Sequence, residues 1–138
     1  DDELNLLRCG GNYGYRPDRA PVIYDESVPM TDPVRVPGAI GAVWRSGSPT
    51  IAPPDLAFLP SSGWGPFSGG LVISALKGKR LLFVRLSSEG RRTVSVVEAL
   101  QERYGRLRAV AVARDGSLLV TTSNGGKADK LLRVRWVG

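Results

Sequence analysis

The chain has 138 residues, 19 basic against 13 acidic for a formal net charge of +6, no His, one Cys and a hydrophobic share of 42%. A chain of that size holds one modest domain. Without His it cannot supply an imidazole base, a Ser-His-Asp triad or a His-ligated zinc, and Cys9 alone makes neither an internal disulfide nor a thiolate cluster.

The first fifty residues carry Gly10-Gly11-Asn12 and prolines at 17, 21, 29, 33, 37 and 49, with little period-2 or period-3.6 pattern. They read as a long loop with short extended pieces at Asp2–Leu7 and Pro21–Tyr24. Loops of this length inside compact domains are usually functional or else mobile. Gly10-Gly11-Asn12-Tyr13-Gly14 is glycine-rich, yet Tyr-Arg-Pro follows it where a nucleotide phosphate loop requires a helix. No apolar run approaches the ~18 residues of a membrane span, and no basic-then-apolar leader opens the chain.

From Pro53 onward the pattern becomes a series of short strands rich in Val, Leu, Ile and Phe and broken by Gly, Ser and Asp. Strands are predicted at 54–59, 70–76, 79–87, 93–98, 107–113, 117–122 and 130–136. Gln101–Arg103 is compatible with part of a helical turn. Arg114-Asp115-Gly116 reads as a tight hairpin turn with Gly taking positive φ. In the last strand Leu132, Val134 and Trp136 share one face, and Arg133 and Arg135 the other. Ser123-Asn124-Gly125-Gly126-Lys127 reads as a flexible turn at the same end of the sheet as the connectors between units, a plain exposed connector in the first place and a lining of the site mouth as the alternative.

The strands repeat. Gly70-Leu71-Val72-Ile73-Ser74 returns as Gly116-Ser117-Leu118-Leu119-Val120-Thr121, and Lys79–Arg85 returns as Asp129–Arg135, with offsets of 46 and 50 residues. A period of this size with about four strands per unit belongs to propeller blades; an ordinary antiparallel sandwich is the alternative. The expected class is therefore all-β, with residues 1–52 as the end of a preceding blade plus a long loop and 53–138 as two blades, the second lacking its fourth strand. Two blades cannot close a ring, and their open edges and apolar flanks call for the remainder of a propeller or for self-association.

Charge is uneven: residues 1–50 hold seven acids and five bases, whereas 51–138 hold six acids and fourteen bases. A basic second part fits an anion site or a solvated surface. A nucleic-acid face is disfavoured, because most of the few aromatics fall in apolar strands and leave no stacking platform.

Asp2-Glu3-Leu4-Asn5-Leu6, Gly11-Asn12-Tyr13-Gly14-Tyr15, Pro49-Thr50-Ile51-Ala52-Pro53, Ala57-Phe58, Ala75-Leu76-Lys77-Gly78-Lys79-Arg80-Leu81, Arg106-Leu107-Arg108 and Asp115-Gly116-Ser117-Leu118-Leu119-Val120 occur in that order. Together they resemble the carboxyl-terminal part of the glucose/sorbosone dehydrogenase family, the soluble pyrroloquinoline-quinone-dependent aldose sugar dehydrogenases. The resemblance implies a six-bladed propeller acting outside the cytoplasmic membrane (periplasmic, secreted or anchored at the cell surface) on a sugar substrate. It implies cofactor contacts from Tyr24, from Ala75, Leu76 and Lys77, and from Arg106, Leu107 and Arg108, with calcium held by Glu3 and the carbonyl of Tyr13. For Leu107 a plain core role is the competing expectation, and for Glu3 a plain surface charge.

Blade geometry adds to this. In an up-and-down blade the turn between strands two and three and the connector to the next blade emerge at one end, so Lys77 is expected near Arg106 and Arg108. Pyrroloquinoline quinone carries three carboxylates, which Lys and Arg bind by charge-assisted hydrogen bonds. Two features depart from the family pattern. Tyr15-Arg16-Pro17 stands where Trp-Pro is usual, which bears on the path to Tyr24. The catalytic His precedes the region that this chain resembles, so the chain alone is expected to be inactive. A noncatalytic propeller that binds a glycan, polyanion or protein is the alternative from another class.

Overall fold

The computed structural model describes residues 1–15, 31–34 and 36–138. Among the described residues nine strands form three antiparallel sheets. β1 (Glu3–Leu4) pairs with β2 (Trp44–Arg45); β3 (Leu56–Phe58), β4 (Leu71–Ala75), β5 (Arg80–Leu86) and β6 (Thr93–Ala99) form the second sheet in that order; β7 (Leu107–Val112), β8 (Leu118–Thr122) and β9 (Leu131–Val134) form the third. A 3-10 turn, Gly65–Phe67, links β3 to β4. The seven strands expected after Pro53 are all present, shortened by up to two residues at most ends. Asp2–Leu7 contracts to Glu3–Leu4, and Pro21–Tyr24 lies outside the described residues.

β5 shows why these segments pair. Its interior Leu81, Leu82, Phe83 and Val84 are all buried, because both faces of the sheet are covered. Leu81 and Phe83 enter one apolar cluster, and Leu82 and Val84 the other. Each fully buried Leu or Val stabilises the fold by about 1.5–3 kcal/mol relative to an exposed one.

The two clusters set the order of the sheets. One joins Leu71, Ile73, Ala75, Leu82 and Val84 to Leu4 and Trp44 of the first sheet. The other joins Val72, Leu81 and Phe83 to Leu107, Val110, Leu118 and Val120, with Leu132 and Val134 packed against them. The sheets thus succeed one another like petals, each with one face backward and one forward.

The register pairs express the same repeat. Leu71 faces Val84 and Ile73 faces Leu82 across β4 and β5; Leu118 faces Val134 and Val120 faces Leu132 across β8 and β9. All eight side chains face the preceding sheet. The first offset is therefore 47 residues in place of 46, because Ser117 belongs to the tight turn: Ser117 N–H and Oγ both bond the Asp115 carboxylate. The turn itself is as expected, with Gly116 at φ 79° and its N–H on the Ala113 carbonyl. Residues 101–103 are turns and not helix; Arg103 N–H reaches the Leu100 carbonyl at 3.1 Å.

Candidate functional site

Three chain segments meet at one end of the second and third sheets: Ala52–Asp55 leading into β3, Leu76–Gly78 leaving β4, and Arg106 entering β7. At this end polar bonds add to the apolar contact between the sheets. Asp55 accepts the Ser74 N–H on its carbonyl at 3.0 Å and the Val110 N–H on its carboxylate at 2.9 Å. The Ser74 hydroxyl donates to the Arg108 carbonyl. With Ser74 beside Arg108, the β4 exit that leads to Lys77 lies next to the β7 entry that carries Arg106.

β7 carries a bulge at this point. Leu107 pairs with Thr122 and Val110 with Val120, so one extra residue stands on the β7 side. Arg108 and Ala109 are both exposed as a result, between buried Leu107 and Val110. The backbone groups that the bulge removes from the ladder find side-chain partners. Arg108 O takes the Ser74 hydroxyl, Ala109 N–H bonds Thr121 Oγ1 at 3.1 Å and Val110 N–H bonds Asp55. Neither the Arg106 nor the Arg108 guanidinium has a polar partner among the described residues.

Asn124 holds the connector ahead of β7. Its Oδ1 accepts the Arg106 N–H and its Nδ2 donates to the Tyr104 carbonyl, each at 2.9 Å. The segment read as a plain exposed turn therefore fixes the backbone of a candidate cofactor residue. Lys77 Nζ donates to Thr50 Oγ1 at 3.3 Å from an exposed position. Ala75 and Leu107 are both fully buried, Ala75 in the cluster behind the second sheet and Leu107 in the cluster ahead of it. Tyr24 lies outside the described residues.

A cleft of about 520 Å³ opens beside this end, lined by Asp1, Asp2, Glu3, Asn5, Tyr13 and Leu76 among others. It brings Glu3 and Tyr13 of the calcium expectation together with Leu76 of the cofactor expectation; Lys77, Arg106 and Arg108 do not line it. Behind its Glu3 and Tyr13 wall, oxygens converge. Thr31 Oγ1 stands 3.0 Å from Glu3 Oε2 and 2.8 Å from the Tyr13 carbonyl. The hydroxyl has one hydrogen, so it satisfies only one of these acceptors at a time.

Asn5 donates its amide nitrogen to Glu3 Oε2 at 3.2 Å, while its Oδ1 is buried and has no hydrogen-bond partner among the described residues. Buried acceptors are ordinarily paired, so Oδ1 is the atom here that most calls for a further group. The Glu3 side chain is only 8% exposed, unlike a plain surface charge. A carboxylate, a carbonyl, an amide oxygen and a hydroxyl are the hard ligands calcium takes, with water for the rest. Arg45 Nε, 3.6 Å from Glu3 Oε1, offsets part of the negative charge. Among the described residues no cluster of three His, Cys, Asp or Glu side chains forms a metal site.

The glucose/sorbosone dehydrogenase family model matches residues 1–133. Among solved structures, an oxidoreductase from Thermus thermophilus described as a glucose dehydrogenase is 32% identical with a TM-score of 0.63, over 96% of this chain and 36% of that one. The PQQ-bound form of aldose sugar dehydrogenase from Streptomyces coelicolor is 26% identical with a TM-score of 0.71, over 97% of this chain and 36% of that one. No curated protein sequence matches the chain. The chain thus spans little more than a third of the length of these two structures, and its sheets are blades of the same kind of propeller. With the family model matching nearly end to end, the chain belongs to the glucose/sorbosone dehydrogenase family.

Proposed function

We propose that the complete protein is a pyrroloquinoline-quinone-dependent dehydrogenase that oxidises an aldose sugar at its anomeric carbon, and that this chain supplies part of the quinone site and a calcium site. One observation carries the reading. The β4–β5 turn with Lys77 and the β7 entry with Arg106 and Arg108 run out at one end of adjoining blades, and both guanidinium groups there lack partners among the described residues. Three cations drawn to one quinone would match its three carboxylates.

When bound, the quinone supplies two adjacent carbonyls that take up a hydride from the sugar. Lys77, Arg106 and Arg108 hold its carboxylates and polarise its oxygens. By family resemblance Ala75, Leu76 and Leu107 border the quinone, and Tyr24 adds a further contact. Glu3, the Tyr13 carbonyl and Asn5 Oδ1 hold the calcium. The proton goes to a base elsewhere in the protein, by resemblance a His, a residue type this chain lacks. The protein works outside the cytoplasmic membrane, and among the described residues no helix is long and apolar enough to cross one. The edge of β9 pairs with a strand from the rest of the propeller.

Titration of the full-length protein with pyrroloquinoline quinone and calcium tests this. A saturable absorbance change together with sugar-dependent dye reduction is expected; folded protein showing neither overturns it. Lys77→Ala or Arg106→Ala should weaken quinone binding about ten-fold to a hundred-fold, and unchanged affinity removes that residue from the site.

A further inference from the structure

The turn that carries Lys77 is held from a distance. Gly78 N–H donates to the Ile51 carbonyl at 2.9 Å and Leu76 N–H to the Ala52 carbonyl at 3.0 Å, so both ends of the turn hang on residues 51 and 52. Those residues are in turn held by a single atom. Asp2 Oδ2 accepts the Ile51 N–H at 2.6 Å and the Ala52 N–H at 3.1 Å.

The peptide unit between Ile51 and Ala52 is thus bonded at both ends, its N–H to the Asp2 carboxylate and its C=O to Gly78 N–H. Hydrogen bonds chained through one peptide polarise each other, and a carboxylate at the donor end strengthens the carbonyl as an acceptor. Ala52 sits at φ 52°, a left-handed conformation that a non-glycine residue keeps only when its surroundings over-determine it. Asp2 and the two turn bonds are that surrounding. Asp2 itself is fixed by its own backbone: its N–H donates to Ser46 Oγ at 2.7 Å, and its carbonyl accepts the Ser46 N–H at 2.9 Å.

From this geometry we infer that Asp2 is a positioning residue for the quinone site, setting the Leu76–Gly78 turn through the Ile51–Ala52 peptide. The inference rests on the reading that the quinone is held at this turn. Asp2 does not touch the ligand in this role; it determines where Lys77 starts from.

The test uses the full-length protein with Asp2→Ala, Asp2→Asn and Asp2→Glu, read by quinone titration and by amide hydrogen exchange over residues 75–79. Asp2→Ala should weaken quinone affinity about ten-fold and speed exchange at Leu76 and Gly78, while β5 and β8 keep wild-type protection. Asp2→Asn retains an acceptor oxygen and should recover affinity to within a few-fold. Asp2→Glu keeps the charge but displaces it, and should resemble Ala. Wild-type affinity and wild-type exchange in Asp2→Ala overturn the inference, as does a lowered thermal midpoint with affinity unchanged. If Asp2→Ala fails to fold, the Asn and Glu variants give the same contrast. If the wild-type protein binds no quinone, the functional reading fails, and exchange at Leu76 and Gly78 still decides whether Asp2 holds the turn.

Discussion

The Asp55 carboxylate leaves its own sheet to accept the Val110 N–H of the next one at 2.9 Å. Its other oxygen takes the Leu56 N–H at 2.9 Å. Both oxygens act as acceptors, so Asp55→Asn necessarily turns an amide N–H toward one of these donors. Asp55→Ala and Asp55→Asn should each destabilise the protein by about 1–3 kcal/mol, measured as a lowered denaturation midpoint with an unchanged slope. A variant as stable as the wild type would mean that water replaces the carboxylate at the seam.

Asn124 bridges Tyr104 O and Arg106 N–H with opposite ends of its amide, so neither Ala nor Asp can replace it. Ala removes both bonds, and Asp sets an oxygen against the Tyr104 carbonyl. Asn124→Ala and Asn124→Asp should both lower quinone affinity in the full-length protein by about three-fold to ten-fold, the equivalent of one net hydrogen bond. Titration at a temperature well below the unfolding transition checks this.

Gly78 lies against the core. A Cβ built there would stand 3.0 Å from Ile51 Cβ and 3.2 Å from Ala75 Cβ, and both neighbours are buried. Gly78→Ala should cost about 1–3 kcal/mol of stability through overpacking, whereas Gly41→Ala, with nothing within 4 Å, should cost little. Chemical denaturation of the two variants compares them directly.

Asp115 binds the Ser117 hydroxyl and N–H and pairs with Arg135 at 2.8 Å and Arg133 at 3.5 Å. The Ser117 hydroxyl bond, then the Ser117 N–H, hold its carboxyl down to about 2, with Arg135 and Arg133 adding to them. A depressed folded value means that the stabilisation is fully present above the unfolded value near 3.9 and is lost as pH falls toward 2. The difference in thermal midpoint between wild type and Asp115→Asn should therefore be constant above pH 5 and shrink between pH 4 and 2. A difference that is flat across that range would refute the assignment.

Alternation of Val, Leu and Ile with turn residues was enough to locate β4 to β8, where five to seven residues show the period and most strands bury at least one face, while the short β3 and β9 were located by the apolar runs around them. β2 was not legible: Trp44-Arg45 is two residues long, and only its pairing with Leu4 and Glu3 makes it a strand. The bulge at Arg108 and Ala109 was hidden for a related reason. The sequence Leu107–Val112 reads as regular, and the extra residue is fixed by Ser74 and Asp55, more than thirty positions upstream.

The same holds at the site. Strand order grouped Arg106, Arg108 and Lys77 as an expectation, and Glu3 and Tyr13 came from family resemblance. Asp2, Thr31 and Asn124 act through contacts that close only after folding: Asp2 with residues 49 and 50 positions away, Thr31 with Glu3 28 positions away and Asn124 with Arg106 18 positions away.

All three tryptophans occupy seams between sheets. Trp44 packs on the cluster behind the four-stranded blade, Trp64 lies in the cluster ahead of it with Nε1 on the Gly116 carbonyl, and the Trp136 ring crosses Phe67 at 5.8 Å and lies against Gly65. Intrinsic fluorescence is therefore a native gauge of blade separation: its emission would redden when petals part, before the ladders inside any one petal melt.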